Sequence, residues 1–107
     1  MIEEENIEKE SSIRSGGASH TLNFETVGGK LYLLANELVF KSHVFNIQKH
    51  ILRIPLDQIK EVKTFNTSWI VPNGLEIVTH DGHTEQFIVF KRSVWKQEIE
   101  KQMAVVR

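Results

Sequence analysis

Residues 28–40 read "GGKLYLLANELVF", two apolar runs joined through a polar knot at Ala35 and Asn36. If those two residues form a two-residue turn, Leu33 stands opposite Leu38 and Leu31 opposite Phe40, so four large apolar side chains share one face. Tyr32 and Val39 then pair on the other face, beside Leu34 and Glu37. A primed turn needs positive φ at both central residues, which suits Ala35 poorly, and a longer turn with a bulge is the alternative geometry. Either way the stretch is a hairpin with one core face.

Working outward, the same style of strand and turn recurs. Upstream, a short first strand is expected over residues 9–14, followed by a loop at "SGGAS" whose paired glycines tolerate positive φ. Downstream, residues 51–54 suit a strand that Pro55 interrupts, "LDQI" offers a tight turn, and residues 59–65 resume the strand. "GLEIVTH" and "HTEQFIVF" flank Asp81 and Gly82, a pair suited to a primed hairpin turn. With His80 opposite His83 this register sets Leu75 against Ile88 and Val78 against Glu85, a less clean pattern than in the first hairpin. In "RSVWKQEIEKQMAVVR" the period changes: Trp95, Ile99 and Met103 recur every four residues, which predicts a helix over residues 93–104 capped by Ser93. Lys96 stands three residues after Ser93, so the full capping box is absent. Short antiparallel strands followed by one amphipathic helix make a mainly β fold, an antiparallel barrel or sandwich closed by a C-terminal helix.

Composition agrees with one soluble domain. The 107 residues are 40% hydrophobic and 25% charged, with no Cys, which excludes disulfides, thiolate metal sites and cysteine nucleophiles. Residues 1–8 form an acidic tail, and residues 9–107 form the single domain. The tail lacks the positive start and apolar run of a signal peptide, and no stretch approaches the roughly 20 apolar residues that span a bilayer. A cytoplasmic chain, peripheral to the inner face of the membrane, is the expectation. Beyond residue 14 there are eleven Lys and Arg against nine Asp and Glu, too small an excess for a nucleic-acid binder.

The ordered motifs resemble the GRAM family, a branch of the pleckstrin-homology-like superfold. "GGKLYLLANELVF" is similar to that family's Gly-Gly-Lys-Leu-Tyr-Leu-Thr, turn residues, then Arg before Leu-Val-Phe. "IPLDQIKEV", "PNGLEIVTHDG" and "FKRSVW" extend the resemblance over about residues 10–103. It implies a bent sheet of seven strands closed at one end by the helix. It also implies a non-catalytic module whose relatives bind phosphoinositides, other lipids or proteins. Leu34 stands where Thr is usual and Glu37 where Arg is usual, and "RSGGASH" supplies only Arg14 and a His to the first loop. The leading expectation is peripheral contact with lipid or a membrane-associated protein, and these departures motivate the alternative, a protein-interaction or self-association module without lipid affinity.

No catalytic set emerges. Gly28, Gly29 and Lys30 lack the earlier Gly, the Ser or Thr after Lys and the following helix of a phosphate loop. Ser, His and Asp occur without a nucleophile elbow, and the carboxylates show no acid–base spacing. His80 and His83, with Asp81, flank a turn where a metal is conceivable, but solvated hairpin histidines are the heavier reading. His43 and His50 read as exposed loop residues. No metal, cofactor or enzymatic activity is expected.

Contact chemistry is better represented. Trp69, Ile70, Val71 and Pro72 form an apolar run bounded by turn residues. Such a run either dips into a bilayer interface or partner groove, or closes the open end of the sandwich, and closure is the heavier reading. Lys41, Lys49 and Arg53, with Lys60 and Lys63, suit an anionic surface or a solvated face, and Arg14 with "GGASH" is a second anion candidate. The candidate contact residues are therefore Arg14, Lys30, Lys41, Lys49, Arg53, Trp69, Ile70 and Val71, and the expected partner is anionic lipid or a membrane-associated protein.

Overall fold

The computed structural model describes residues 12–22, 25–43 and 51–107. The expected acidic tail over residues 1–8, the first part of the expected strand over 9–14, Lys49 and His50 lie outside the described residues. Seven strands follow in chain order: β1 (Arg14–Leu22), β2 (Glu25–Leu33), β3 (Glu37–Ser42), β4 (Ile51–Pro55), β5 (Ile59–Thr67), β6 (Val71–Thr79) and β7 (Thr84–Val89). A 3-10 turn (Leu56–Gln58) links β4 to β5, and the helix α1 (Arg92–Val106) ends the chain. All pairings are antiparallel, in the order β4-β3-β2-β1-β7-β6-β5, a curled half-barrel against which α1 packs on β5 and β6.

The first hairpin adopts the expected register, with Leu31 opposite Phe40, Tyr32 opposite Val39 and Leu33 opposite Leu38. Its turn needs neither a bulge nor positive φ at Ala35 or Asn36; the Leu34 amide donates to the Glu37 carbonyl at 2.9 Å. Leu31, Leu33, Leu38 and Phe40 join Leu75, Ile77, Phe87 and Val89, and Trp95, Ile99 and Met103 of α1 complete the core. Burying each such side chain contributes about 1.5–3 kcal/mol, so the hairpin is a main source of stability. Gly29 lies where β2 and β3 come closest: a Cβ there would meet the Lys41 carbonyl oxygen, and the Ser42 Cα at 2.7 Å.

Three local expectations are corrected. The "SGGAS" stretch is not a loop, because Ser15 to Ser19 lie within β1 and pair with β2 from Tyr32 to Gly28. Pairing of Gly16 and Gly17 with β2, continued by the pairing of Ala18 to His20 with β7, outweighs the conformational freedom of the two glycines. The second hairpin is one residue out of the expected register, with Leu75 opposite Phe87, Ile77 opposite Glu85 and Val78 opposite Thr84. The Thr79 amide donates to the His83 carbonyl at 2.9 Å and the Gly82 amide to the Thr79 carbonyl at 3.0 Å, with Gly82 at φ 91°. The loop thus has three residues, with glycine in the left-handed position, and this places Leu75, Ile77, Phe87 and Val89 together in the core. Finally, Ser93 is not the helix cap: α1 starts one residue earlier, behind Lys91 at φ 60°, with no side-chain cap.

Candidate functional site

The hairpin between β5 and β6 gathers the features that burial and backbone preference both oppose. Trp69 is 90% exposed and Ile70 81% exposed, and Val71 is also exposed. The expectation that Trp69 and Val71 close the end of the sandwich is therefore corrected: α1 and the core strands shut the interior without them. Among the described residues, three non-glycine residues adopt positive φ: Ser68 at 48°, Trp69 at 73° and Lys91 at 60°. A left-handed conformation costs an L-residue about 1–2 kcal/mol, and a bulky one is unusual there.

That turn is tied down by its own polar groups. The Asn66 side-chain Nδ2 donates to the Trp69 carbonyl at 3.2 Å, and the Thr67 hydroxyl donates to Asn73 Oδ1 at 2.7 Å. From the foot of α1, Arg92 Nη1 donates to the Phe65 carbonyl at 2.5 Å and to Asn66 Oδ1 at 2.9 Å. The clamp joins the hairpin to the β7–α1 junction, where Phe90 is 78% exposed and Lys91 Nζ lies 5.5 Å from the centre of its ring. Behind the tip, Val71 and Phe90 line a groove of about 630 Å³ floored by Gly17, Ser19, Gly28 and Ile88. Phe90 and Arg92 were not singled out by the sequence patterns. Phe90 continues the apolar pair Ile88 and Val89 past the end of the strand, which is the signal that points to it.

The other candidates are dispersed. Arg14 begins β1, with its guanidinium 5.3 Å from the Trp95 ring centre, so it belongs with the helix packing and not with an anion loop. Lys30 and Lys41 face each other across β2 and β3, and Lys30 Nζ lies 5.9 Å from the Tyr32 ring. Arg53 on β4 donates to Glu37 at 2.7 Å, so the acidic departure in the first hairpin is neutralised locally. Lys60 and Lys63 lie on β5, at the opposite end of the strand order from Arg53. The structure thus brings together Trp69, Ile70 and Val71, sets Lys30 beside Lys41, and leaves Arg14 and Arg53 apart from them on β1 and β4.

A second polar cluster sits by the β6–β7 turn. The continuation of β1 points His20 into the core, where its ring stacks on Phe87 at 4.9 Å and lies 5.4 Å from Phe40. His20 Nε2 is 2.7 Å from Glu85 Oε1, and Glu85 also lines a cavity of about 220 Å³ with Arg53, Asp81 and His83. The Thr79 hydroxyl, then the His83 amide and ring, hold the Asp81 pKa down from 3.8 to about 2. Asp81 is thereby engaged in the turn. No group of three or more His, Cys, Asp or Glu that could hold a metal occurs among the described residues.

A curled seven-stranded antiparallel sheet with one C-terminal helix is the architecture of the pleckstrin-homology-like domains, a class of binding modules that are generally non-catalytic. The GRAM domain model matches residues 3–105, and the chain belongs to the GRAM domain family. A curated relative, UDP-sugar-dependent glycosyltransferase 52 of Dictyostelium discoideum, is 39% identical over 62 residues, 58% of this chain. The matched region spans only 4% of that relative's length.

Among solved structures, the C-terminal domain of an unknown protein from Leishmania infantum aligns with a TM-score of 0.78 at 18% identity, covering 94% of this chain and 90% of that one. The Slm1-PH domain in complex with phosphoserine aligns at 0.67 and 14% identity, covering 87% and 96%. The same domain in complex with inositol-4-phosphate aligns at 0.64 and 13%, covering 86% and 97%. At these identities the likeness is one of fold. Among the described residues, no helix is long and apolar enough to cross a membrane.

Proposed function

We propose that this GRAM domain is a peripheral membrane-contact module that docks through Trp69, Ile70, Val71 and Phe90. The observation that carries the reading is the exposed Trp69, in a left-handed turn whose carbonyl Asn66 holds, with a second exposed ring, Phe90, at the β7–α1 junction that Arg92 ties to Asn66. Indole and phenyl side chains presented together suit the boundary between head groups and acyl chains. The Slm1-PH domain, which shares this fold, has been captured with phosphoserine and with inositol-4-phosphate, which supports a membrane setting. A second reading, docking of a membrane-associated protein, is favoured by the groove behind the tip.

Flotation with mixed neutral and anionic vesicles tests the first reading. Wild-type protein is expected to float and Trp69→Ala to lose at least about tenfold in the bound fraction. Wild-type protein that stays with the soluble fraction on every vesicle overturns it and directs the search to a protein partner.

A further inference from the structure

We infer that the surface this tip fits is uncharged and loosely packed bilayer, entered by side-chain insertion, and not an anionic head group. The inference rests on the membrane-contact reading above and adds the chemistry of the partner. No charged residue occurs between Lys63 and Glu76, so the whole hairpin tip is neutral. Two of its polar side chains are spent within the turn: Asn66 Nδ2 donates to the Trp69 carbonyl, and the Thr67 hydroxyl donates to Asn73. Of the two adjoining cations, one is hydrogen-bonded to the hairpin and the other stays exposed at a ring face. Arg92 is bonded to the Phe65 carbonyl and Asn66, and Lys91 lies over the Phe90 ring. Among the described residues, the groove behind the tip is lined by no Lys, Arg, Asp or Glu.

Relative magnitudes decide which interaction drives binding. One lysine near an anionic surface changes partition by about fivefold and is screened by salt. Removing a Trp, Ile or Phe side chain from water changes partition by about tenfold or more for each residue. Three such side chains against one exposed cation make insertion the dominant contribution. Trp69 on the hairpin and Phe90 at the β7–α1 junction, which Arg92 ties to that hairpin, wedge most readily where head groups are sparse, so affinity should rise with curvature and acyl unsaturation.

The test uses the intact chain and three probes: small dioleoylphosphatidylcholine vesicles, large palmitoyl-oleoylphosphatidylcholine vesicles, and the large vesicles doped with phosphatidylserine. Binding is read by flotation and by the emission shift of exposed Trp69, with buried Trp95 as an internal reference for folding. Expected are tightest binding to the small neutral vesicles and less than about threefold loss between low and physiological salt. Lys91→Gln should change binding by at most about fivefold, and both Trp69→Ala and Phe90→Ala should weaken it by about tenfold. Binding confined to phosphatidylserine vesicles, or lost at physiological salt, overturns the inference while leaving membrane contact standing. No binding to any of the three, or to the mixed vesicles above, overturns both.

Discussion

The two tryptophans of this domain occupy opposite situations. Trp95, on α1, is 2% exposed, whereas Trp69 is 90% exposed at the tip of the β5–β6 hairpin. Around Trp95 local and global preferences agree: the helix has right-handed geometry, the four-residue period turns the ring inward, and Gly16 packs alongside it. A Cβ on Gly16 would lie 3.5 Å from that ring. Around Trp69 both preferences are opposed, because the backbone is left-handed and the indole faces water. Yet Asn66 and Arg92 hold it there. These two unfavourable features, kept by specific hydrogen bonds, are what the proposed contact role of Trp69 rests on.

The contrast is broken most directly by truncating each ring. Trp95→Ala should destabilise the domain by about 3–5 kcal/mol, measured by urea unfolding, since it opens a cavity at the centre of the core. A cost below about 1 kcal/mol would mean that Trp95 is no more structural than Trp69. His20→Ala comes next, at about 2–3 kcal/mol, because it removes the ring between Phe40 and Phe87 and the Glu85 partner.

Trp69→Gly sharpens the comparison by reversing the sign. Relief of the left-handed strain should leave stability unchanged or raise it by up to about 1 kcal/mol, while flotation falls by about tenfold. Simultaneous loss of stability and flotation would make Trp69 a second core residue.

The smallest expected effect is at Asp81, away from both rings. Its carboxylate is held below its ordinary 3.8, so its contribution is complete above that pH and is lost as pH falls through about 2. The difference in thermal midpoint between wild type and Asp81→Ala should therefore be constant near neutrality and shrink below pH 3.8. A difference that grows on acidification would contradict the Thr79 and His83 bonds assigned to this turn.

Legibility followed the range of the interactions. The β2–β3 register was readable because Leu31, Leu33, Leu38 and Phe40 fall symmetrically about a two-residue turn, so a one-residue slip would break up this shared core face. The register of β6 and β7 was not, because the Asp-Gly pair serves two- and three-residue loops alike and core packing chooses between them. At the candidate site, the apolar run 69–71 was visible as composition, but its exposure was not. Arg92 reaches Phe65 and Asn66 across 26 or 27 residues, a link without a local pattern. His20 was hidden for a related reason: its stretch resembles a glycine loop until β2 and β7 pair with it.

Hydrophobic period and turn chemistry, both properties of neighbouring residues, were enough to imply strands, a closing helix and a resemblance to the family. Which apolar residues stay outside was settled by three-dimensional competition for the core. Leu31, Phe40, Phe87 and Trp95 fill the interior, and the clamp from α1 leaves Trp69 facing solvent. Exposure is a property of what surrounds a residue, and those surroundings are assembled from strands and a helix distant in the chain.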